Sequence, residues 1–108
     1  MIASRQLKLH LPTQDIDISI RIFLPAEDND SWRCPYEIDW PDGKKSSAAV
    51  GVDSVQAILL ALQKIGIEIY TSDYHKRGQL TWFEPNQGYG FPVTKNVRDL
   101  LKGADADL

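Results

Sequence analysis

Residues 51–66 read GVDSVQAILLALQKIG, and the conformation of this stretch decides what the rest of the chain can build. Val55, Ile58, Leu59, Leu62, Ile65 and Ile69 recur at the three-and-four spacing of a helix with one apolar stripe. Asp53 or Ser54 offers an N-cap oxygen just before that pattern begins. Gly66 weakens a helix by about 1 kcal/mol relative to alanine, which allows a bend or an end there, although the apolar spacing continues towards Tyr70.

The residues before it alternate with a period of two instead. Leu7, Leu9 and Leu11 alternate with Gln6, Lys8 and His10, and Ile16, Ile18, Ile20, Ile22 and Leu24 alternate with Asp15, Asp17, Ser19 and Arg21. Both are half-buried strands. A hairpin through PTQD that sets Leu11 opposite Ile16 and Leu9 opposite Ile18 puts the two apolar faces together, with His10 opposite Asp17 on the wet face. A third strand follows the loop PAEDND, with Trp32, Cys34, Tyr36, Ile38 and Trp40 on one face. Pro35 lacks a ladder donor, which predicts that this strand is near an edge or bulged there. WPDGK reads as a three-residue hairpin loop that places Trp40 opposite Lys44, Tyr36 opposite Ala48 and Cys34 opposite Val50. The expected first half is a four-stranded meander with the helix on its apolar face.

After the helix, SDYHKRG reads as a loop, QLTWF as a last short strand and EPNQGYGFP as irregular chain. Thr94 is placed to cap a short C-terminal helix with Val97, Leu100 and Leu101 inward and Gly103 beyond its end, and residues 103–108 as a frayed tail. The expected fold is α+β: an antiparallel four- to five-stranded meander sheet, one long helix on its apolar face and a short C-terminal helix, in a single domain over 1–108.

Composition bounds function. An apolar share of 43% and a charged share of 25% are those of an ordinary folded domain. The run AILLAL is too short to span a bilayer, and no apolar targeting segment follows Met1, so the expected location is the cytoplasm and no membrane partner is expected. One cysteine, Cys34, excludes an internal disulfide and a cysteine metal cluster. The net charge of −3 opposes nucleic-acid binding. Eight acids against four bases up to Gly43, and five bases against two acids from Tyr74 to Lys102, suit a polar protein partner or head-to-tail self-attraction.

Few residues carry a chemical motif. GVDS is shared with the phosphopantetheine attachment site of carrier proteins, yet those are all-helical bundles, whereas here the four letters follow strands; Asp and Ser are what a helix start requires. GYG at 88–90 lacks the spacing of a nucleotide loop. His10 beside a carboxylate has no nucleophile identifiable on its face, so no catalytic residue is assigned. Cys34 points inward and is inert. Two histidines without paired spacing predict no metal site, and no cofactor is expected.

Binding residues remain. Asp73, Tyr74, His75 and Arg77 sit in the most polar and aromatic loop of the chain, and loops on rigid scaffolds tend to bind, although basic residues at a helix C-terminus need no ligand. Tyr89, with Trp82 and Phe83, can line a pocket or fill the core. Leu60 and Ile67, seven apart and away from the apolar stripe, are either covered by the segment after Phe83 or form an exposed patch for a partner or a second copy.

WRCPYEIDWPDG, GVDSVQAILLALQKIG, IYTSDYH and GYGFPV together resemble a family of small bacterial proteins, mostly proteobacterial, that forms a domain of unknown function with a GVDSVQA helix motif. The resemblance implies a bacterial cytoplasmic domain and brings no activity or cofactor. Two functions are therefore expected: a non-catalytic protein-binding domain, such as a stoichiometric inhibitor or immunity-type protein, or a small-molecule binder or weak enzyme using a pocket between residues 72–78 and 88–92.

Overall fold

A computed structural model describes residues 1–85 and 87–93. Six strands form one antiparallel sheet: β1 (Ala3–His10), β2 (Asp15–Ile22), β3 (Ala26–Asp28), β4 (Ser31–Trp40), β5 (Gly43–Gly51) and β6 (Leu80–Thr81). A long helix, α1 (Ser54–Tyr70), and a single turn, α2 (Asp73–Lys76), complete the elements. β4 pairs along its length with β5, while its other edge meets β3 and then β2, which leads to β1 and β6. The fold is α+β, as the residue pattern predicts. The C-terminal helix, Thr94, Gly103 and the tail at 103–108 lie outside the described residues.

One face of the sheet is apolar and covered. Leu7, Leu9, Ile18, Ile20, Cys34, Tyr36 and Ile38 are buried there beneath α1 and the segment Tyr89–Val93. A fully buried leucine or isoleucine contributes about 1.5–3 kcal/mol, and the alternation that supplies these residues holds in β1, β2 and β4. The opposite face carries Gln6, Lys8, His10, Asp15, Asp17, Arg21, Glu37 and Asp39, paired across strands.

Both predicted hairpin registers shift. β1 and β2 pair two residues tighter, Leu9 opposite Ile16 and Leu7 opposite Ile18, because the Leu11 N–H donates to the Gln14 carbonyl at 2.9 Å and closes the turn inside the expected pairing. An even shift keeps the same side chains inward. β4 and β5 shift by one: Trp40 faces Gly43 around a two-residue Pro41–Asp42 loop, and Cys34 faces Ala49. An odd shift reverses the face, so Val50 is 55% exposed instead of buried, while Lys45, Ser47 and Ala49 turn towards α1.

Pro35 lies near an edge as expected, since β4 is one strand in from β5, and there is no bulge: the register with β5 runs unbroken through Pro35 and Ala48. Pro35 sits where the β2 ladder runs out. The Phe23 N–H still donates to the Pro35 carbonyl at 3.0 Å, and the Phe23 carbonyl, which a proline nitrogen cannot serve, accepts the Cys34 thiol at 3.5 Å. Burial pushes that thiol above its ordinary pKa, consistent with an inert cysteine. β3, within the expected PAEDND loop, pairs with the start of β4 through a turn at Asn29, φ 57°.

α1 is rotated from the predicted stripe. Ala57, Ala61, Ile65 and Ile69 are buried, whereas Val55 is 73% and Leu59 47% exposed. The two alanines let the helix lie close on β4 and β5, which larger side chains would prevent. Asp53 is the cap: its carboxylate accepts the Gln56 N–H at 2.8 Å, and Gln56 Oε1 accepts the Val52 N–H at 2.7 Å. The helix neither bends nor ends at Gly66. A Cβ there would strike the Pro92 carbonyl oxygen and stand 2.8 Å from Val93 Cγ1, so the glycine is the seat of the returning chain.

Candidate functional site

Among the described residues, the Tyr89–Val93 segment packs against Gly66 and Tyr70 of α1 and lines no part of the surface at Leu60 and Ile67. These two are half-buried, packed at the margin of the core. With Ala48, Ala49, Val50, Gln63 and Lys64 they line an apolar groove of about 330 Å³. They are neither core residues nor a free-standing patch; they form the helix-side wall of a groove whose floor is β5.

β5 is an edge strand, since β4 is the only strand paired with it among the described residues. Antiparallel ladders alternate hydrogen-bonded and non-bonded pairs. Pro35 has no N–H, so its partner Ala48 belongs to a non-bonded pair and turns its backbone groups outward. Lys64 verifies this by donating to the Ala48 carbonyl at 2.7 Å and to Ser47 Oγ at 3.4 Å. By the same alternation the N–H and C=O of Lys44, Ser46 and Val50 also point out of the sheet.

A separate, wider polar recess of about 500 Å³ is lined by the Lys45–Glu68 ion pair, 3.4 Å, and in part by Trp40, Asp42, Asp73, Tyr74 and Arg77. Ser72 caps α2 through the His75 N–H at 3.2 Å, and this turn, expected as a loop, brings Tyr74 over Trp40 with ring centroids 5.4 Å apart and planes at 21°. Burial raises the Tyr74 phenol above its ordinary pKa, helped by Asp42, to which it donates at 3.3 Å. Tyr36 beneath the helix is raised further, by burial first and then by Glu68.

Of the seven residues expected to bind, Leu60 and Ile67 thus line the apolar groove and Asp73, Tyr74 and Arg77 the polar recess. His75 and Tyr89 are elsewhere. His75 Nδ1 and the Tyr89 hydroxyl are 2.7 Å apart, with Tyr70 edge-on to both rings. They line a recess of about 120 Å³ between residues 72–78 and 88–92, small beside the several hundred Å³ usual for a cofactor or drug-sized ligand.

The wet face gives His10 a different carboxylate from the expected one. His10 faces Asp15 and Lys8 faces Asp17, with His10 Nδ1 3.0 Å from Asp15 Oδ1 and Lys8 Nζ 2.7 Å from Asp17 Oδ1. On the other side His10 Nε2 lies 2.9 Å from Thr81 Oγ1. Residue spacing could not show that neighbour, because β6 joins β1 only through the tertiary fold. Among the described residues no group of three or more His, Cys, Asp or Glu could hold a metal ion, and no helix is long and apolar enough to cross a membrane.

A family model described as a domain of unknown function, DUF6968, matches residues 3–93, so the chain belongs to that family. No curated protein and no solved structure shows significant similarity to it.

Proposed function

We propose that this member of the DUF6968 family is a protein-binding domain that takes up an extended segment of a partner protein along the outer edge of β5. The observation that carries this is a nine-residue strand with outward backbone donors and acceptors beside an apolar groove. Strand addition uses both features: main-chain bonds supply affinity, and a pocket for alternate side chains supplies choice. A suitable segment presents an aliphatic residue to Leu60 and Ile67 and a carboxylate to Lys64, whose bonds here go to neutral oxygens. The recess at Trp40 and Tyr74 extends the contact.

Lysines also guard edges against indiscriminate pairing, and Lys64 must leave the Ala48 carbonyl before a partner strand binds. That favours a specific, stoichiometric partner of the kind held by inhibitors and immunity proteins, over open-ended assembly. A second copy joined edge to edge is the homodimeric form of the same contact. The net charge of −3 and the single cysteine suit a protein partner in a reducing bacterial cytoplasm.

Ser46→Pro tests the proposal. It deletes one outward N–H and no bond to β4, so the fold should keep its melting temperature while affinity for a purified partner, or self-association in sedimentation, falls at least about tenfold. Leu60→Gln with Ile67→Gln should do the same. Capture unaffected by either variant, or the absence of any macromolecular partner and of self-association, refutes it.

The bonded His75–Tyr89 pair supports a second reading, a small-molecule site in the 120 Å³ recess. A ligand there would shift the His75 ring resonances in NMR and leave the β5 amides unmoved.

A further inference from the structure

We propose that Asp15, His10 and Thr81 form a nucleophilic relay across three strands that takes an acyl group from small activated esters onto the Thr81 hydroxyl. The relay stands on the sheet face opposite α1, separate from the β5 edge. Its members come from adjacent strands: Asp15 from β2, His10 from the end of β1 and Thr81 from β6. The imidazole spans the other two at 3.0 and 2.9 Å.

Chemistry sets the proton positions. A carboxylate only accepts, so His10 Nδ1 carries the hydrogen that Asp15 receives; Nε2 of the neutral ring then accepts from the Thr81 hydroxyl. Hydroxyl to imidazole to carboxylate is the connectivity that activates a hydroxyl nucleophile wherever it occurs, irrespective of fold. Asp15 acts through His10 and is a positioning residue.

Two further features make this more than a cross-strand polar pair. Thr81 faces Lys8 directly in the β1–β6 register, and both line the same groove; the Lys8 ammonium is held by Asp17 at 2.7 Å, a bond that raises its pKa and keeps it charged and poorly nucleophilic. Beside them Phe83 is 88% exposed at φ 61°, the centre of a three-residue turn closed by the Glu84 N–H on the Trp82 carbonyl at 2.9 Å. An aromatic residue in left-handed backbone is strained, and such strain gathers at functional sites. The turn stands this ring at the rim of a groove of about 630 Å³ that Thr81, His10 and Lys8 also line. A hydroxyl with its base, a cation and an apolar shelf suit a small aryl or acyl ester.

In the acylation step the Thr81 Oγ–carbonyl carbon bond forms, the hydroxyl proton passes to His10 Nε2, and the bond from that carbon to the leaving oxygen breaks with its electron pair. The imidazolium then returns its proton to solvent or to the departing alkoxide. In the second step water adds to the acyl carbon while giving a proton to Nε2, and that proton returns to Thr81 Oγ as the acid leaves.

The full chain incubated with 4-nitrophenyl acetate, quenched in acid and mapped by tandem mass spectrometry, tests this. Expected are a nitrophenolate release above the buffer rate and an acetyl group on Thr81. Thr81→Val and His10→Gln should each lower the rate about a hundredfold, Thr81→Ser should retain it, and Asp15→Asn should lower it where Asp15→Glu recovers it. Melting curves of each variant verify the fold, and the serine and glutamate variants separate chemistry from folding. Acetyl confined to Lys8 or other lysines, no acetylation at all, or an unchanged rate in Thr81→Val overturns the proposal.

Discussion

At the scale of single residues, the wet face is held by pairs whose partners the register selects. Arg21 donates to both carboxylate oxygens of Asp39, at 2.8 and 2.6 Å, and through Nε to Glu37 at 3.1 Å. That two-pronged bond lowers the Asp39 pKa from its ordinary 3.8. A lowered carboxylate stabilises the fold fully above its unfolded value and loses this contribution as pH falls through the lowered folded value. Asp39→Asn should therefore melt a few degrees below the parent at neutral pH, with the gap closing as pH falls below about 4. A gap constant from pH 7 to pH 2 would show that the pair adds nothing; solvent screening keeps the effect small. Residue spacing showed that Arg21 and these acids share a face. Which acid meets which base depended on the turns, and His10 exchanged Asp17 for Asp15 because one turn closed earlier than expected.

At the scale of elements, α1 shows how helix periodicity identifies a helix without orienting it. Apolar residues occupy more of its circumference than one face can bury, and the stripe through Val55 and Leu59 was the conspicuous one because its side chains are large. The buried stripe uses Ala57 and Ala61, small enough for close approach. Gly66 makes the same point against intrinsic propensity. Alanine there would favour an isolated helix by about 1 kcal/mol, yet its Cβ would meet the Pro92 carbonyl and Val93, and overpacking of this kind costs about 1–3 kcal/mol. Gly66→Ala should lower the urea midpoint, by up to about 2 kcal/mol in stability; a raised midpoint would mean that the returning chain does not seat on the helix.

At the scale of the whole molecule, the sheet sets its two candidate surfaces on opposite margins, the groove at β5 and the relay at β1, β2 and β6. The chain extends 47 × 28 × 19 Å, and no described residue lines both sites. Effects at distant sites with no shared partners are close to additive. Ser46→Pro should therefore leave Thr81 acetylation unchanged within about twofold, His10→Gln should leave partner affinity or self-association unchanged to the same degree, and the double variant should show the two losses side by side. Coupling beyond about tenfold between them, 1.4 kcal/mol by RT ln 10, would mean that the surfaces act as one site.

The residue order by itself determined the kind of each long element, the inward set of β1, β2 and β4, a helix start at Asp53 or Ser54, a short last strand within QLTWF and the α+β class, because these follow from local periodicity and local hydrogen-bond chemistry. Registers, the rotation of α1, the short β3, the edge that β6 joins and the meeting of His10 with Thr81 were decided only by the tertiary structure. A register hangs on how many residues a turn consumes, and a change of one moved Val50 from inside to outside. Alternation in QLTWF marks a strand, but that it pairs with β1 is set only when the chain has folded. The candidate surfaces inherit that dependence: Leu60, Ile67, Tyr74 and Arg77 stand out in the residue order, but the edge at the groove is created when β5 finds β4 on one side and, among the described residues, no strand on the other.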